Sequence, residues 1–421
     1  MTVSTQNAQV VLSKRRHIGT GVFFLVMALA IAILFLRGTG SDLQTTFGLN
    51  PGRATVSVRL PDLVLPTQAS LWFLTIVCAF LGGWQIAKGF RSTGWALGIV
   101  VFAFVAAFLL WAARDRSMNL VGMLSSSLVR AIPIALGAFS GVLCERAAVI
   151  NIAIEGMMLT SAFIAAWVGS ISKNLWIALL AAMLAGAVLA SVLAVLSIKF
   201  KVNQIIGGTV INIFAVGITS YLSAKFLQVY QNLNNPGIFK QVPIPLLSKI
   251  PIIGPIFFEH NIFIYITFLL MILIHVMLFY TRWGLRTRAV GEHPKAADTL
   301  GINVFRMRYI NVILGGMVAG IGGAFFTIGS VGRFDEVMTA GKGFIGLAAM
   351  IFGKWTPFGA FGSSLIFGFA DSLQTKLQIL QVPIPSEFLL MAPYLVTMIV
   401  LAGVIGRAVP PAADGEPYEK Q

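Results

Sequence analysis

Gly284-Leu-Arg-Thr-Arg-Ala-Val-Gly-Glu-His-Pro-Lys-Ala-Ala-Asp-Thr-Leu-Gly301 is a polar island between two apolar runs, Ile262–Tyr280 and Ile310–Ile328. Its spacing predicts a short helix. Pro294 can open it at the first turn, where a missing N–H is no loss. Asp298 falls early enough to favour the positive helix end, and Gly301 suits the stop. The helix is about two turns, roughly 10 Å at ~1.5 Å per residue. Ala296, Ala297 and Leu300 give it one small apolar face. So short an element does not hold alone in water, so it is expected to dock on something. The alternative is an ordinary basic loop.

Around this island the chain is very apolar. Hydrophobic residues make up 57% of 421 and charged residues 11%, with a mean hydropathy of +0.87. That balance belongs to a polytopic membrane protein, not a soluble domain. The net charge of +15 does not point to nucleic acid, because few basic residues cluster and aromatics do not interleave with them; basic cytoplasmic loops explain it better. Cys78 and Cys144 lie far apart, in or beside apolar runs, which excludes a disulfide framework and argues against a metal site. His17, His260, His275 and His293 show no ligand spacing either. No Gly-x-x-x-x-Gly-Lys-Ser/Thr occurs, so the chain carries no P-loop of its own.

The apolar runs place the spans. Val22–Leu36 follows Lys14, Arg15 and Arg16 and reads as an uncleaved anchor with a cytoplasmic N-terminus. Ser70–Ile86 and Trp95–Ala112 complete an extension of about three transmembrane helices over residues 1–117. A core over residues 118–407 holds Leu120–Leu143, Ile154–Val168, Leu175–Leu196, Ile205–Phe226, Ile262–Tyr280, Ile310–Ile328, Gly341–Phe352, Phe358–Phe369 and Phe388–Val404. Gly341–Phe352 is a full crossing, a half-helix or a re-entrant piece. As a full crossing it leaves both termini cytoplasmic and puts the basic loop with Arg282, Arg286, Arg288, Lys295, Arg306 and Arg308 inside, as the positive-inside rule prefers. The loop Gln228–Glu259, stiffened by five prolines from Pro236 to Pro255, is then external, as a docking surface or a plain extended loop. The tail, residues 408–421, reads as disordered and cytoplasmic. The fold class is an all-α membrane protein: a polytopic helix bundle of about 10–12 segments, some short or re-entrant, with a cytoplasmic coupling helix.

Polar groups inside apolar runs are the candidate pathway. A carboxylate at membrane depth costs about 2.5–3.5 kcal/mol on insertion scales, so Glu155 needs a partner or a wet cavity. Asn151 lies four residues earlier, on the same helical face. The two line a pathway, or Asn151 caps the helix and Glu155 pairs with Arg146. Asn203, Gln204, Thr209 and Asn212 form a second cluster beside Gly207 and Gly208, either at a broken helix lining a cavity or as interhelical hydrogen bonds. Gly316 and Gly320 point to close helix packing. Asp371 is a pathway group or an external helix end, and Trp283 and Trp355 read as interfacial anchors.

Three motifs carry a family resemblance. Arg288-Ala-Val-Gly-Glu-His-Pro-Lys-Ala-Ala-Asp-Thr-Leu-Gly-Ile302 resembles the cytoplasmic coupling loop of ABC-importer permeases in the simple-sugar, nucleoside and branched-chain amino acid group. Ser140–Met158 is similar to a motif of the nucleoside-type branch, and Gly341-Lys-Gly-Phe-Ile-Gly-Leu-Ala-Ala-Met-Ile-Phe-Gly-Lys-Trp355 resembles a late segment of the same group. The match covers roughly Leu120–Gly406; the N-terminal extension and His293, where the group most often has Asn, depart from it. The resemblance implies a permease subunit of the cell membrane with no cofactor or ATPase site of its own, ATP being bound on a partner. It implies three partners in the lipid bilayer's vicinity: a cytoplasmic ATPase, a second permease subunit (homologous or identical) and an external substrate-binding lipoprotein or periplasmic protein. Gly291, Glu292, His293, Pro294, Lys295, Ala296, Ala297, Asp298, Leu300 and Gly301 would couple to the ATPase. The polar clusters would meet a nucleoside's ribose hydroxyls or base edge. The alternatives are a sugar or branched-chain amino acid permease, an ion-coupled secondary transporter, or a structural membrane protein.

Overall fold

The computed structural model describes residues 17–50, 59–90, 92–382, 385, 388, 391 and 409–420. Among these, nine helices are long and apolar enough to cross a membrane: α1 His17–Leu36, α2 Thr67–Ala87, α3 Thr93–Ala112, α4 Leu120–Glu145, α5 Ile154–Ser172, α6 Leu175–Lys199, α7 Gln204–Leu227, α8 Ile262–Tyr280 and α11 Val304–Val331. Between the last two lie the short α9 Arg282–Glu292 and α10 Pro294–Thr299. After α11 come α12 Lys342–Phe352 and α13 Pro357–Ile379. The chain is an all-α membrane protein, and each of the first nine apolar runs is one of the long helices. The run Phe388–Val404 lies almost wholly outside the described residues.

The chain divides into two compact units, one through Gly122 with Lys376–Ile384 and one of Met123–Thr375 with the described residues from Pro385. In the first, α1–α3 carry at one end a small sheet of β1 Gln44–Gly48, β2 Leu63–Pro66 and β3 Ser117–Asn119, in the order β2-β1-β3. The β1–β2 pair is antiparallel and the β1–β3 pair parallel. Thr45 ties this sheet to the helices through Thr67 (2.8 Å) and Leu110 O (3.0 Å).

The second unit is built around α4. Of the most apolar window of α4, 89% is buried, against 28% for α8, so α4 is central and α8 turns much of its surface outward. Ile134, Leu136, Phe139 and Val142 of α4 join Ile274 and Leu278 of α8, Ile321 of α11 and Phe367 of α13 in one apolar core. Helix α11 closes on α6 at Gly316 and Gly320. A Cβ on Gly316 would lie 2.5 Å from Gly186 O, and one on Gly320 would lie 2.5 Å from Ala182 O. Bare backbone is what lets the two helices come this near. In the loop after α7, β4 Val242–Pro243 pairs with β5 Glu259–His260.

The tail departs from expectation. Residues 409–420, with Pro, Gly and Glu, suggest disorder by composition, yet Ala413 and Tyr418 are buried. Tyr418 sits in an apolar cluster with Val290, Ala297, Val304 and Met307. The entropy of ordering the segment is met by this aromatic burial together with hydrogen bonds from Ala413 N to Gly291 O and from Ala412 N to Glu292 Oε2.

Candidate functional site: a coupling elbow and two broken helices

The polar island folds as a helical elbow. Thr281 starts α9 by accepting the Gly284 N–H at 3.1 Å, and Pro294 holds the first position of α10. Gly301 ends it with φ +79°, a conformation that costs glycine nothing. The helix therefore begins at the residue the sequence predicts and stops just ahead of Gly301. Its buried face is narrower than expected: Ala297 is buried, but Ala296 is exposed and Leu300 is 81% exposed. Leu285 on α9 is also exposed, as are Glu292, His293 and Lys295.

The elbow rests on the C-terminal end of α4. A Cβ on Gly291 would lie 2.4 Å from Arg146 O, so glycine permits the contact. Arg146 Nε in turn donates to Trp355 O at 2.9 Å, and Trp355 Nε1 donates to Glu145 Oε2 at 2.5 Å. Burial lowers the Arg146 pKa from its ordinary value, with Glu292 opposing the shift. Trp355 is thus 5% exposed and bonded, a buried connector and not the interfacial anchor its neighbours in sequence suggest.

From Trp355 the path enters α12. Gly346 lies against Ile134 O and Ala138 N of α4, and a Cβ on Gly137 would lie 3.7 Å from Gly343 Cα and 3.5 Å from Ile154 Cγ2. Gly137 precedes the end of α4 by a little over two turns, roughly 12 Å at ~1.5 Å per residue. Helices α5 and α12 therefore both begin inside the bundle. The segment 332–341 ahead of α12 and the segment 146–153 ahead of α5 are irregular, and irregular backbone at such depth must have its polar groups met by protein.

The candidate pathway residues do this work. Glu155 caps α12: Oε1 accepts from Thr339 Oγ1 (2.6 Å) and Gly341 N (2.8 Å), and Oε2 accepts from Gly343 N (2.7 Å). Its partner is thus a helix N-terminus, where a carboxylate is favoured, and not Arg146. Asn212 clamps the entry to α5, accepting from Gly156 N at 2.8 Å and donating to Ile152 O at 2.9 Å. Gln204 accepts from Ile150 N at 2.6 Å. Asn203 caps α7 by accepting from Ile205 N and Ile206 N. Asn151 does not cap α5; it donates to Cys144 Sγ at 3.4 Å, and its own oxygen finds no donor. Thr209 is exposed and bonds back to Ile205 O, apart from the rest.

Asp371, which the sequence offers as a pathway group or a helix end, gathers two partners that the sequence does not join to it. Asp371 lies within α13, short of its end, and joins Arg130 of α4 (2.9 Å) to Lys342 of α12 (2.6 Å). This triad stands beside the capped start of α12 and is partly exposed, with side-chain accessibilities of 37% for Arg130, 22% for Lys342 and 16% for Asp371. Arg130, a charge inside a span, was the signal available. Among the described residues no set of three His, Cys, Asp or Glu side chains is placed to hold a metal.

Comparison with known proteins follows the same boundary. The family model described as branched-chain amino acid transport system / permease component matches residues 123–406, starting at the first residue of the second unit. The guanosine ABC transporter permease protein NupQ of Bacillus subtilis is 41% identical over 324 residues, 72% of this chain and 99% of that protein. The nucleoside ABC transporter permease protein NupC of Lactococcus lactis is 41% identical over 323 residues, with the same coverage. The putative glucose ABC transporter permease protein TsgC13 of Haloferax volcanii is 31% identical over 261 residues, 61% of this chain and 78% of that protein. No solved structure matches.

Proposed function

Because the chain belongs to the branched-chain amino acid transport system permease family and is a multi-pass protein of the cell membrane, we propose that it is the membrane subunit of an ATP-driven importer whose cargo is a nucleoside. The observation that carries the mechanism is the unbroken run of contacts from the elbow through Gly291, Arg146 and Trp355 to α12. A cytoplasmic ATPase, bearing the ATP site this chain lacks, grips α10 on its Leu300 side. Its closure moves the elbow, and the end of α4 passes the displacement to α12 and, through Glu155, to α5. Two helices that start inside the bundle can tilt without breaking a full-length hydrogen-bond ladder. A second permease subunit and an external binding protein complete the machine. The chain does no covalent chemistry; it acts by holding the cargo differently in two conformations.

Glu155, Asn151, Asn203, Gln204 and Asn212 serve the cargo indirectly, by fixing where the helices start. The partly exposed triad is the group that meets it: Asp371 can accept from sugar hydroxyls while Arg130 and Lys342 donate to acceptors on a base. The nucleoside assignment leans on the two relatives at 41% identity; the glucose relative keeps a sugar as the second reading. ATP-driven uptake of a panel of radiolabelled nucleosides, glucose and leucine by the reconstituted complex decides between them. Guanosine or another nucleoside is expected to accumulate. Accumulation of glucose or leucine alone would overturn the cargo assignment.

A further inference from the structure

The tail is a short run of chain that reaches nearly every inner element of the second unit. Ala413 N donates to Gly291 O at 3.0 Å, and Ala412 N donates to Glu292 Oε2 at 3.2 Å. Asp414 meets the carboxyl of Glu145 at the end of α4 and lies near Arg308 of α11. Gly415 turns with φ +80° against Ile150, in the entry to α5. Arg308 is 1% exposed and donates to Glu416 O at 2.9 Å. Tyr418 lies near Asp298 of α10, sets its ring at a tilt to Phe305 with centroids 5.3 Å apart, and shares an apolar cluster with Ala297 and Val290. Glu419 pairs with Lys201 between α6 and α7 at 2.5 Å.

The position matters as much as the number of bonds. Ala297 is the buried residue of α10, and Tyr418 of the tail belongs to the apolar cluster that buries it. A helix this short has no rigidity of its own. Without that cover, a push on α10 would fold the elbow about His293 instead of reaching Arg146. The tail leaves the opposite side, with Leu300 and Leu285, open to a partner.

We propose that residues 411–419 form a strap that makes the elbow rigid with the core, and that Tyr418 is its positioning residue, required for the push to be transmitted but not for the ATPase to bind. This rests on the importer reading above.

The test uses the full complex in proteoliposomes, with ATP hydrolysis and nucleoside uptake measured together. Tyr418→Ala is expected to keep the ATPase bound and hydrolysing while uptake per ATP falls by about tenfold, a normal size for a coupling term. Tyr418→Phe, which keeps the ring and loses only the hydroxyl, should stay within about twofold of wild type, because the ring is what fills the apolar cluster. A thermal melt of each variant separates uncoupling from unfolding. If Tyr418→Ala transports with an unchanged ratio, or loses ATPase binding and uptake together, the strap is overturned while the importer reading stands. If the wild-type complex shows no ATP-driven uptake, that reading fails and takes the strap with it.

Discussion

At the scale of single residues, two carboxyl groups lead to predictions of different kinds. Glu155 accepts three hydrogen bonds at the start of α12. Glu155→Gln removes the charge that favours this helix end and turns one acceptor into a donor facing N–H groups. A loss of about 1–3 kcal/mol in stability is expected, read as a lowered melting temperature in detergent, with the KM for cargo little changed. A raised KM at an unchanged melting temperature would put Glu155 in contact with the cargo. Asp414, held beside Glu145, has its pKa raised from the ordinary 3.8, chiefly by burial, with the Arg308 charge opposing the shift. The docked tail holds the proton more tightly than a released one. Docking is therefore strongest below the ordinary value of 3.8 and is lost in part as the pH rises through the raised one. Hydrogen exchange at the Ala413 amide, corrected for its intrinsic rate, should show more protection at pH 5 than at pH 7.5, and Asp414→Asn should flatten that difference.

At the scale of elements, α10 shows what local sequence can and cannot say. Its start at Pro294 and its stop ahead of Gly301 were readable because both are set by backbone chemistry a few residues long. Its buried face was not, because the cover is Tyr418, more than a hundred residues downstream. The same distance hid the job of Glu155, whose donors lie 184–188 residues away. Asn203 and Asn212 were visible as a polar cluster, but cap and clamp became distinct from pathway only once Ile152 and Gly156 were beside Asn212. The triad was half visible: Arg130 stood inside a span and Asp371 read as a pathway group or a helix end, but nothing local joined them to Lys342. Leu300 makes the element-scale prediction. Being 81% exposed, it can become Asp with a stability change within about 0.5 kcal/mol, yet Leu300→Asp should weaken capture of the ATPase by tenfold or more, as loss of an apolar anchor at a docking centre does. Pull-down of the ATPase by permease in detergent measures this, and equal recovery of both variants would remove Leu300 from the docking face.

At the scale of the whole molecule, the nine long helices were legible because a ~30 Å hydrocarbon layer demands long apolar runs; the interrupted elements were legible only as anomalies of length and polarity. They are also where the proposed mechanism concentrates. Helices α5 and α12 start side by side within the second unit, joined by Glu155, flanked by Asp371 with its two cations, and linked through Trp355 and Arg146 to the elbow. Asp371→Asn would leave Arg130 and Lys342 without their shared anion, and uptake should show a raised KM for nucleoside while ATPase binding is kept. The most direct test of this mechanical reading is nucleoside uptake into proteoliposomes carrying the permease and its ATPase, with and without ATP and a protonophore, for wild type and Leu300→Asp. Accumulation that needs ATP, ignores the protonophore and disappears in Leu300→Asp is the predicted result. Accumulation that proceeds without ATP, collapses with the proton gradient and is untouched by Leu300→Asp would contradict it.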